Sequence, residues 1–144
     1  MKSIFDSEAE LLVNPVNCVG VMGAGLAKQF KLRYPDYYEE YKVLCLNGLL
    51  RPGVAVIGWK FDEVPYIANF PTKNHWREQS SLENIATALK SLVEQCLDYN
   101  FNSVAMPKIG CGLGGLDWKV VKPMIEEAFK DTGIEIEYFE GDYK

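Results

Sequence analysis

The chain has no long apolar run. Its hydrophobic stretches are short, with Val54-Ala55-Val56-Ile57 typical of the longest, and none approaches the roughly 18 residues of a membrane span. No N-terminal stretch joins a basic segment to an apolar core and a cleavage site, so neither a signal peptide nor a membrane partner is expected. Excess positive charge is missing too: Lys+Arg 15 against Asp+Glu 20 gives a net charge of −5. Broad binding to a nucleic-acid backbone needs many cations and is not expected, although one modified DNA base remains compatible as a substrate. Histidine is reduced to His75, and Cys18, Cys45, Cys96 and Cys111 form no Cys-x-x-Cys pair. No metal or other cofactor is expected from such spacing. Free thiols in a cytoplasmic protein are the simple reading of the cysteines. Repeats and low-complexity segments are absent, and 144 residues that are 48% hydrophobic and 24% charged fit one globular domain over 1–144.

What is present is glycine, placed with purpose. Asn17-Cys18-Val19-Gly20-Val21-Met22-Gly23-Ala24-Gly25 follows a strand-like stretch at 9–16. Lys108-Ile109-Gly110-Cys111-Gly112-Leu113-Gly114-Gly115-Leu116 follows a second one at 102–107. A helical pattern comes after each loop. Amides in such a loop can point at a phosphate, and a helix N-terminus adds partial positive charge. Glycine lets the backbone approach without a side chain in the way. Two loops on one cleft would suit a diphosphate.

The rest of the chain alternates in the same way. A helix is predicted from Gly25 to about Arg33, ended by Tyr34-Pro35-Asp36, and Tyr37, Tyr38 and Tyr41 suggest a short second helix that packs aromatics. Turn signals at 46–48 and 51–53 precede two predicted strands, 54–59 and 64–70. A polar loop spans 71–80. Leu82, Ile85, Ala86, Leu89, Leu92, Val93 and Cys96 then form one helical stripe, with Ser81 and Asn84 as a helix-start signal. Asp117 is a candidate N-cap for a last helix ended near Thr132-Gly133, before a strand at 134–139. Strands alternating with helices imply a largely parallel or mixed sheet covered on both faces.

Two nucleotide signatures fail on spacing. Gly110, Gly112 and Gly115 satisfy G-x-G-x-x-G with Glu135 at a fitting distance, but that fingerprint opens a βαβ unit early in its domain, and residues 116–144 are too few for the remaining sheet. Neither loop ends in the Gly-Lys-Ser/Thr of a nucleotide triphosphatase.

Val13-Asn14-Pro15-Val16-Asn17, followed by Gly20-Val21-Met22-Gly23-Ala24-Gly25-Leu26-Ala27, resembles the first ligand loop of the macro domains. The segment from Met106 to Trp118 resembles their second, and the likeness covers nearly the whole chain. Asn69-Phe70-Pro71-Thr72-Lys73-Asn74-His75-Trp76-Arg77 is similar to the strand-to-helix segment of one subgroup, that of the DarG antitoxin and the terminal ADP-ribose–protein glycohydrolases. The resemblance implies an α/β fold of three layers, α/β/α, with a mixed, mostly parallel central sheet. It implies ADP-ribose, or an ADP-ribosylated macromolecule (a protein or a DNA base), as partner, and removal of the ADP-ribose as activity. An ADP-ribose 1″-phosphate phosphatase and a non-catalytic ADP-ribose reader are the alternatives.

Carried over by position, Asn17 is expected at the distal ribose, and Gly23, Ala24 and Gly25 at the diphosphate and that ribose. Ile109, Gly110, Cys111, Gly112, Leu113 and Gly114 are expected to wrap the diphosphate from the other side. Lys73 matches the essential lysine of the subgroup. An amine can attack the anomeric carbon or the open-chain aldehyde as a Schiff-base nucleophile, and partial desolvation would supply its neutral form. Thr72 adjoins it. His75 could assist proton transfer or simply hold a backbone group, and Trp76 could stack on a base, cover the ribose or pack under its own loop.

The chain departs from the family in two places. Lys2-Ser3-Ile4 stands where macro domains often have Gly-Asp-Ile/Leu, so Ser3 and Ile4 are expected at the adenine and Ser3 replaces an aspartate that binds its amine. The edge strand that usually precedes this point is expected to be missing. Gly114 stands where the vertebrate-type glycohydrolases carry an aspartate, a glycine shared by the DarG-like members.

Overall fold

The computed structural model describes residues 3–141. After a 3-10 turn at Ile4–Asp6 come β1 (Leu11–Val16), α1 (Gly25–Arg33), α2 (Pro35–Leu46), β2 (Val56–Ile57), β3 (Tyr66–Pro71), α3 (Leu82–Asp98), β4 (Ser103–Pro107), α4 (Trp118–Ala128) and β5 (Glu135–Phe139). The strands form one sheet in the order β2-β3-β1-β4-β5. All neighbours run parallel except β2, which is antiparallel to β3. This is the mixed, mostly parallel sheet that the alternation of elements predicts.

Alternation along each strand sorts the side chains onto two faces. Leu11 and Val13 of β1, Phe70 of β3, and Val104 and Met106 of β4 pack on Ile85, Leu89 and Leu92 of α3 and Val121 and Ile125 of α4. Leu12 and Val16, Ile67 and Ala105 point the other way, onto Leu26 and Phe30 of α1 and Tyr37 and Tyr41 of α2. The result is three layers, helix pair, sheet and helix pair. Ser81 caps α3 by accepting a hydrogen bond from the Asn84 amide at 3.1 Å. Asp117 caps α4 by accepting from the Lys119 amide at 3.0 Å. Among the described residues no helix is long and apolar enough to cross a membrane, and no group of three or more His, Cys, Asp or Glu is placed to hold a metal ion.

Three element boundaries differ from the sequence reading. Tyr34-Pro35 does end α1, but Pro35 also opens α2 at its first position, where a missing amide costs nothing. The strand expected over 54–59 shrinks to Val56–Ile57. Side chains take its backbone groups instead: Ser91 Oγ accepts from the Ala55 amide at 3.2 Å, Gln95 Oε1 from the Ile57 amide at 3.1 Å, and Glu40 from the Trp59 amide at 2.9 Å. Helices α3 and α2 thus cover the free edge of the sheet, where an unpaired strand would invite association. The strand expected over 64–70 starts two residues later and runs through Pro71.

Strands β1, β3, β4 and β5 are parallel and therefore finish on one edge of the sheet. Ligands of open α/β sheets bind in the crevice outside those carboxyl ends.

Candidate ligand and catalytic cleft

A cleft of about 730 Å³ opens at that edge. Its walls come from four strand ends: Thr72, Lys73 and Trp76 after β3, Asn17 to Ala27 in part after β1, Lys108 to Gly114 in part after β4, and Gly141 after β5. Lys73 and Lys108 are the ionisable side chains on the wall, and no aspartate or glutamate lines it among the described residues. In a chain of net charge −5, a wall whose described ionisable groups are lysines favours an anion.

The first loop is held by side chains. Asn17 Oδ1 accepts from the Val19 and Val21 amides at 3.1 and 3.4 Å, while its Nδ2 donates to the Val21 carbonyl at 2.7 Å. Tyr41 of α2 donates toward Asn17 Oδ1 and the Asn17 carbonyl at 2.8 and 2.9 Å, and Tyr38 donates to the Gly20 carbonyl at 3.2 Å. Tyr37, one helical turn before Tyr41, bonds to both Asn14 and Asn69, which face each other across β1 and β3. The Asn14 amide also reaches Met22 Sδ at 3.9 Å, under the floor of the cleft. Two tyrosines of α2, Tyr38 and Tyr41, therefore hold this loop, and Tyr37 ties together the strands beneath it. The loop leads into α1, whose N-cap residue, Ala24, has no side chain to satisfy the first amides. An unfilled helix N-terminus facing a cleft is an anion site.

The second loop is held by its own backbone. The Ile109 amide donates to the Pro107 carbonyl at 2.8 Å, Cys111 to Lys108 at 3.2 Å, Gly115 to Gly112 at 3.1 Å and Leu116 to Gly110 at 2.9 Å. The amides of Gly110, Gly112, Leu113 and Gly114 make no such bond among the described residues. Gly110 has φ +74°, a left-handed value that favours glycine. At Gly114 a Cβ would fall inside contact distance of Ser80 Oγ and 2.5 Å from the Gly110 carbonyl oxygen. The aspartate of the vertebrate-type glycohydrolases thus has no room on this backbone. At Gly112 a Cβ meets nothing within 4 Å, and Gly112 lines the cleft.

Lys73 lies in the loop after β3, and that loop is sewn to the first one. The Thr72 amide donates to the Val16 carbonyl at 3.0 Å and the Cys18 amide to the Asn74 carbonyl at 2.8 Å. Cys18 Sγ lies 3.7 Å from the Lys73 carbonyl. Burial lowers the Lys73 pKa from the ordinary lysine value, and the nearby Glu78 carboxylate works against it. An amine held this way is more readily neutral than an exposed one.

The structure brings together Asn17, Gly23, Ala24, Gly25, Thr72, Lys73, Trp76, Gly110, Gly112, Leu113 and Gly114 on the cleft wall. It leaves others out, for identifiable reasons. Ile109 is fully buried in the core beneath α3 and α4, and Cys111 packs against the same cluster with Sγ 3.3 Å from the Ile109 carbonyl. Ser3 is spent as a cap, its Oγ accepting from the Phe5 amide at 3.2 Å, and Ile4 is buried under α1 and α2; neither lines the cleft. Lys2 is outside the described residues. His75 is also off the wall: its Nδ1 accepts from the Arg77 amide at 3.1 Å and its own amide donates to Glu78 at 2.9 Å. It shapes the turn that follows Lys73. Trp76 is 47% exposed and lines the cleft, so it does not pack under its own loop. Asp117 is the N-cap of α4, as the sequence predicts. Burial pushes the Cys18 thiol up to about 12, which keeps it an uncharged hydrogen-bonding group.

The sequence reading passed over the polar side chains beneath the cleft. Tyr37, Tyr38 and Tyr41 read as packing aromatics. The missed signal is their pairing with Asn14, Asn17 and Asn69, asparagines inside or just after apolar strands, where an amide must find a buried partner.

Comparison with known proteins agrees with this geometry. The family model for the macro domain matches residues 13–125. The DNA ADP-ribosyl glycohydrolase of Thermus aquaticus is 40% identical over 144 residues, covering 96% of this chain and 39% of that protein. The macrodomain of Mycobacterium tuberculosis DarG superposes with TM-score 0.90 at 38% identity, over 98% of this chain and 95% of that one. Thermosipho africanus DarTG in complex with ADP-ribose does so with TM-score 0.90 at 31% identity, over 96% of this chain and 40% of that one. This chain spans about two fifths of the length of the Thermus aquaticus relative. A three-layer sheet with its cleft between two glycine loops, matched by a family model over residues 13–125, establishes that the chain belongs to the macro domain family.

Proposed function

We propose that this macro domain is a hydrolase that removes terminal ADP-ribose from a modified macromolecule. The observation that carries the reading is one cleft holding an uncapped helix N-terminus, a second loop with amides that make no backbone bond, and Lys73 with a depressed pKa, with no carboxylate on the wall among the described residues. The two amide sets suit a diphosphate, which a helix N-terminus and backbone nests bind by dipole and hydrogen bond. The relatives support the reading by what they are: DNA ADP-ribosyl glycohydrolases and a protein solved with ADP-ribose.

Lys73 is then the nucleophile. Its neutral amine attacks C1″ of the closed distal ribose. The bond from C1″ to the acceptor breaks, and the acceptor leaves with the proton that the amine gives up. The ring then opens at its own oxygen as the C1″–N link becomes a Schiff base. The amine holds the sugar as a Schiff base until water adds and returns free ADP-ribose and lysine. The first loop, through Asn17, and Gly23 to Gly25 would hold the ribose and phosphates during this exchange. The free thiols support a reducing, cytoplasmic setting, and the chain acts as one domain over 1–144.

The test is Lys73→Ala assayed on ADP-ribosylated DNA, glutamate-modified protein and ADP-ribose 1″-phosphate in parallel. Turnover of the ADP-ribosylated macromolecule falls by at least about a hundredfold, the scale of losing a catalytic side chain, while calorimetry still detects ADP-ribose binding. Lys73→Arg fails as well, because a guanidinium stays protonated. Borohydride reduction of the wild type during turnover traps an adduct on Lys73 by mass spectrometry. Full activity in Lys73→Ala would transfer the reading to a phosphatase. A wild type that binds ADP-ribose but turns over none of the three is a reader.

A further inference from the structure

Two buried side-chain atoms find no hydrogen-bond partner among the described residues, Asn14 Oδ1 and Ser80 Oγ. Both lie close to the cleft. Asn14 reaches Met22 beneath its floor, and Ser80 stands behind the second glycine loop. A hydroxyl taken out of water without a partner is costly, and a native fold rarely keeps one.

Ser80 is placed to act on that loop. It ends the 71–80 loop that carries Lys73, directly before the Ser81 cap of α3. Its amide donates to the Gly114 carbonyl at 2.9 Å, so the Lys73 loop is tied to the second glycine loop as well as to the first. Ser80 is 7% exposed, and the loop backbone packs closely on it. A Cβ on Gly110 would lie 3.4 Å from the Ser80 Cβ, and a Cβ on Gly114 would collide with both Ser80 Oγ and the Gly110 carbonyl oxygen. Those two oxygens are therefore close neighbours, with only the bare Cα of Gly114 beside them. The Gly110 carbonyl accepts one backbone bond, from the Leu116 amide at 2.9 Å, and a carbonyl oxygen has two lone pairs. A donor without an acceptor thus stands next to an acceptor with capacity to spare.

We infer that Ser80 is a positioning residue for the diphosphate: as ADP-ribose engages the second loop, the 110–114 backbone settles onto the Ser80 hydroxyl, which donates to the Gly110 carbonyl. This rests on the reading of the cleft as an ADP-ribose site. The amides of Gly112, Leu113 and Gly114 make no backbone bond among the described residues, so the loop's own hydrogen bonds do not aim them. Bonds at Gly110 and Gly114 from one residue fix both ends of the segment that carries them. Because the hydroxyl is unpaired in the arrangement seen here, its bond contributes to ligand binding and not to folding.

The experiment compares wild type with Ser80→Ala. Urea denaturation without ligand finds the variant at least as stable as wild type, because the change removes a buried polar atom that has no partner. Calorimetry finds ADP-ribose bound about fivefold more weakly, the scale of one hydrogen bond. ADP, which keeps the diphosphate and lacks the distal ribose, loses the same factor. A serine with a merely structural role gives the reverse, lower stability and unchanged affinity. Lower stability of Ser80→Ala, or a variant too unstable to fold, shows that the hydroxyl is already paired and overturns the proposal. A loss confined to ADP-ribose moves the effect to the distal ribose and overturns it too. Unchanged affinity in the variant overturns the positioning role while leaving the cleft intact. No ADP-ribose binding by the wild type overturns the cleft assignment itself, and the role of Ser80 with it.

Discussion

The loop after β1 and the loop after β4 face each other across one cleft, yet they are fixed by opposite means. The first takes its shape from side chains: Asn17 bridges its own turn, and Tyr38 and Tyr41 reach up from α2 to hold it. The second takes its shape from backbone hydrogen bonds spanning two to six residues and from close approach at Gly114. A loop held by side chains can be loosened gradually, one bond at a time. A loop held by its backbone is tolerant where a side chain points into open space and intolerant where one would meet a carbonyl.

The sharpest way to separate these is within the second loop. Gly112→Glu has room for its Cβ and folds normally, but it sends a carboxylate into the cleft. Its repulsion of a diphosphate lowers ADP-ribose affinity by at least about a hundredfold, or about 2.7 kcal/mol, read by calorimetry. An unchanged affinity would place the diphosphate elsewhere. Gly114→Ala should instead be felt in folding. Its methyl group meets the Gly110 carbonyl and Ser80, and overpacking of this kind destabilises by about 2 kcal/mol. Urea denaturation measures it, and a stability equal to wild type would show that the loop yields more easily than its geometry implies.

The first loop should respond more mildly. Tyr41→Phe removes the donor to the Asn17 side chain and carbonyl but leaves the ring in the core. Asn17 keeps its bonds to Val19 and Val21. The expected loss in ADP-ribose affinity is about fivefold, near the 1 kcal/mol of one hydrogen bond. A loss as large as that of Gly112→Glu would erase the contrast between the loops.

The smallest effect is electrostatic and concerns the loop joined to the first. Burial lowers the Lys73 pKa and Glu78 raises it. In the proposed mechanism the reactive amine is the deprotonated form, so turnover is expected to climb with pH as Lys73 loses its proton. Glu78→Gln keeps an oxygen to accept from the His75 amide but removes the opposing charge. The Lys73 pKa then falls further, and the acid limb of the kcat/KM profile moves to lower pH. A shift to higher pH, or none, would mean that another group governs the limb.

The sequence by itself determined the order of elements and the existence of two loops. The strand-like stretches at 9–16 and 102–107, the stripe on α3, the Ser81 and Asp117 caps and the Pro35 break are local signals, set by neighbours a few residues apart. It also marked Lys73 and the loop glycines, because motif spacing is written along the chain. Only tertiary structure decided the rest. Residues from four strand ends share one cleft because parallel pairing brings those ends to one edge. Ile109 and Cys111 sit in the second loop yet face the core, and Ser3 caps a turn, because side-chain direction depends on backbone turns that no pattern of residue types fixes. Asn14, Asn69 and Tyr37 look like three unremarkable positions along the chain. They become one buried network because a polar group taken out of water must find its partner wherever the fold delivers it.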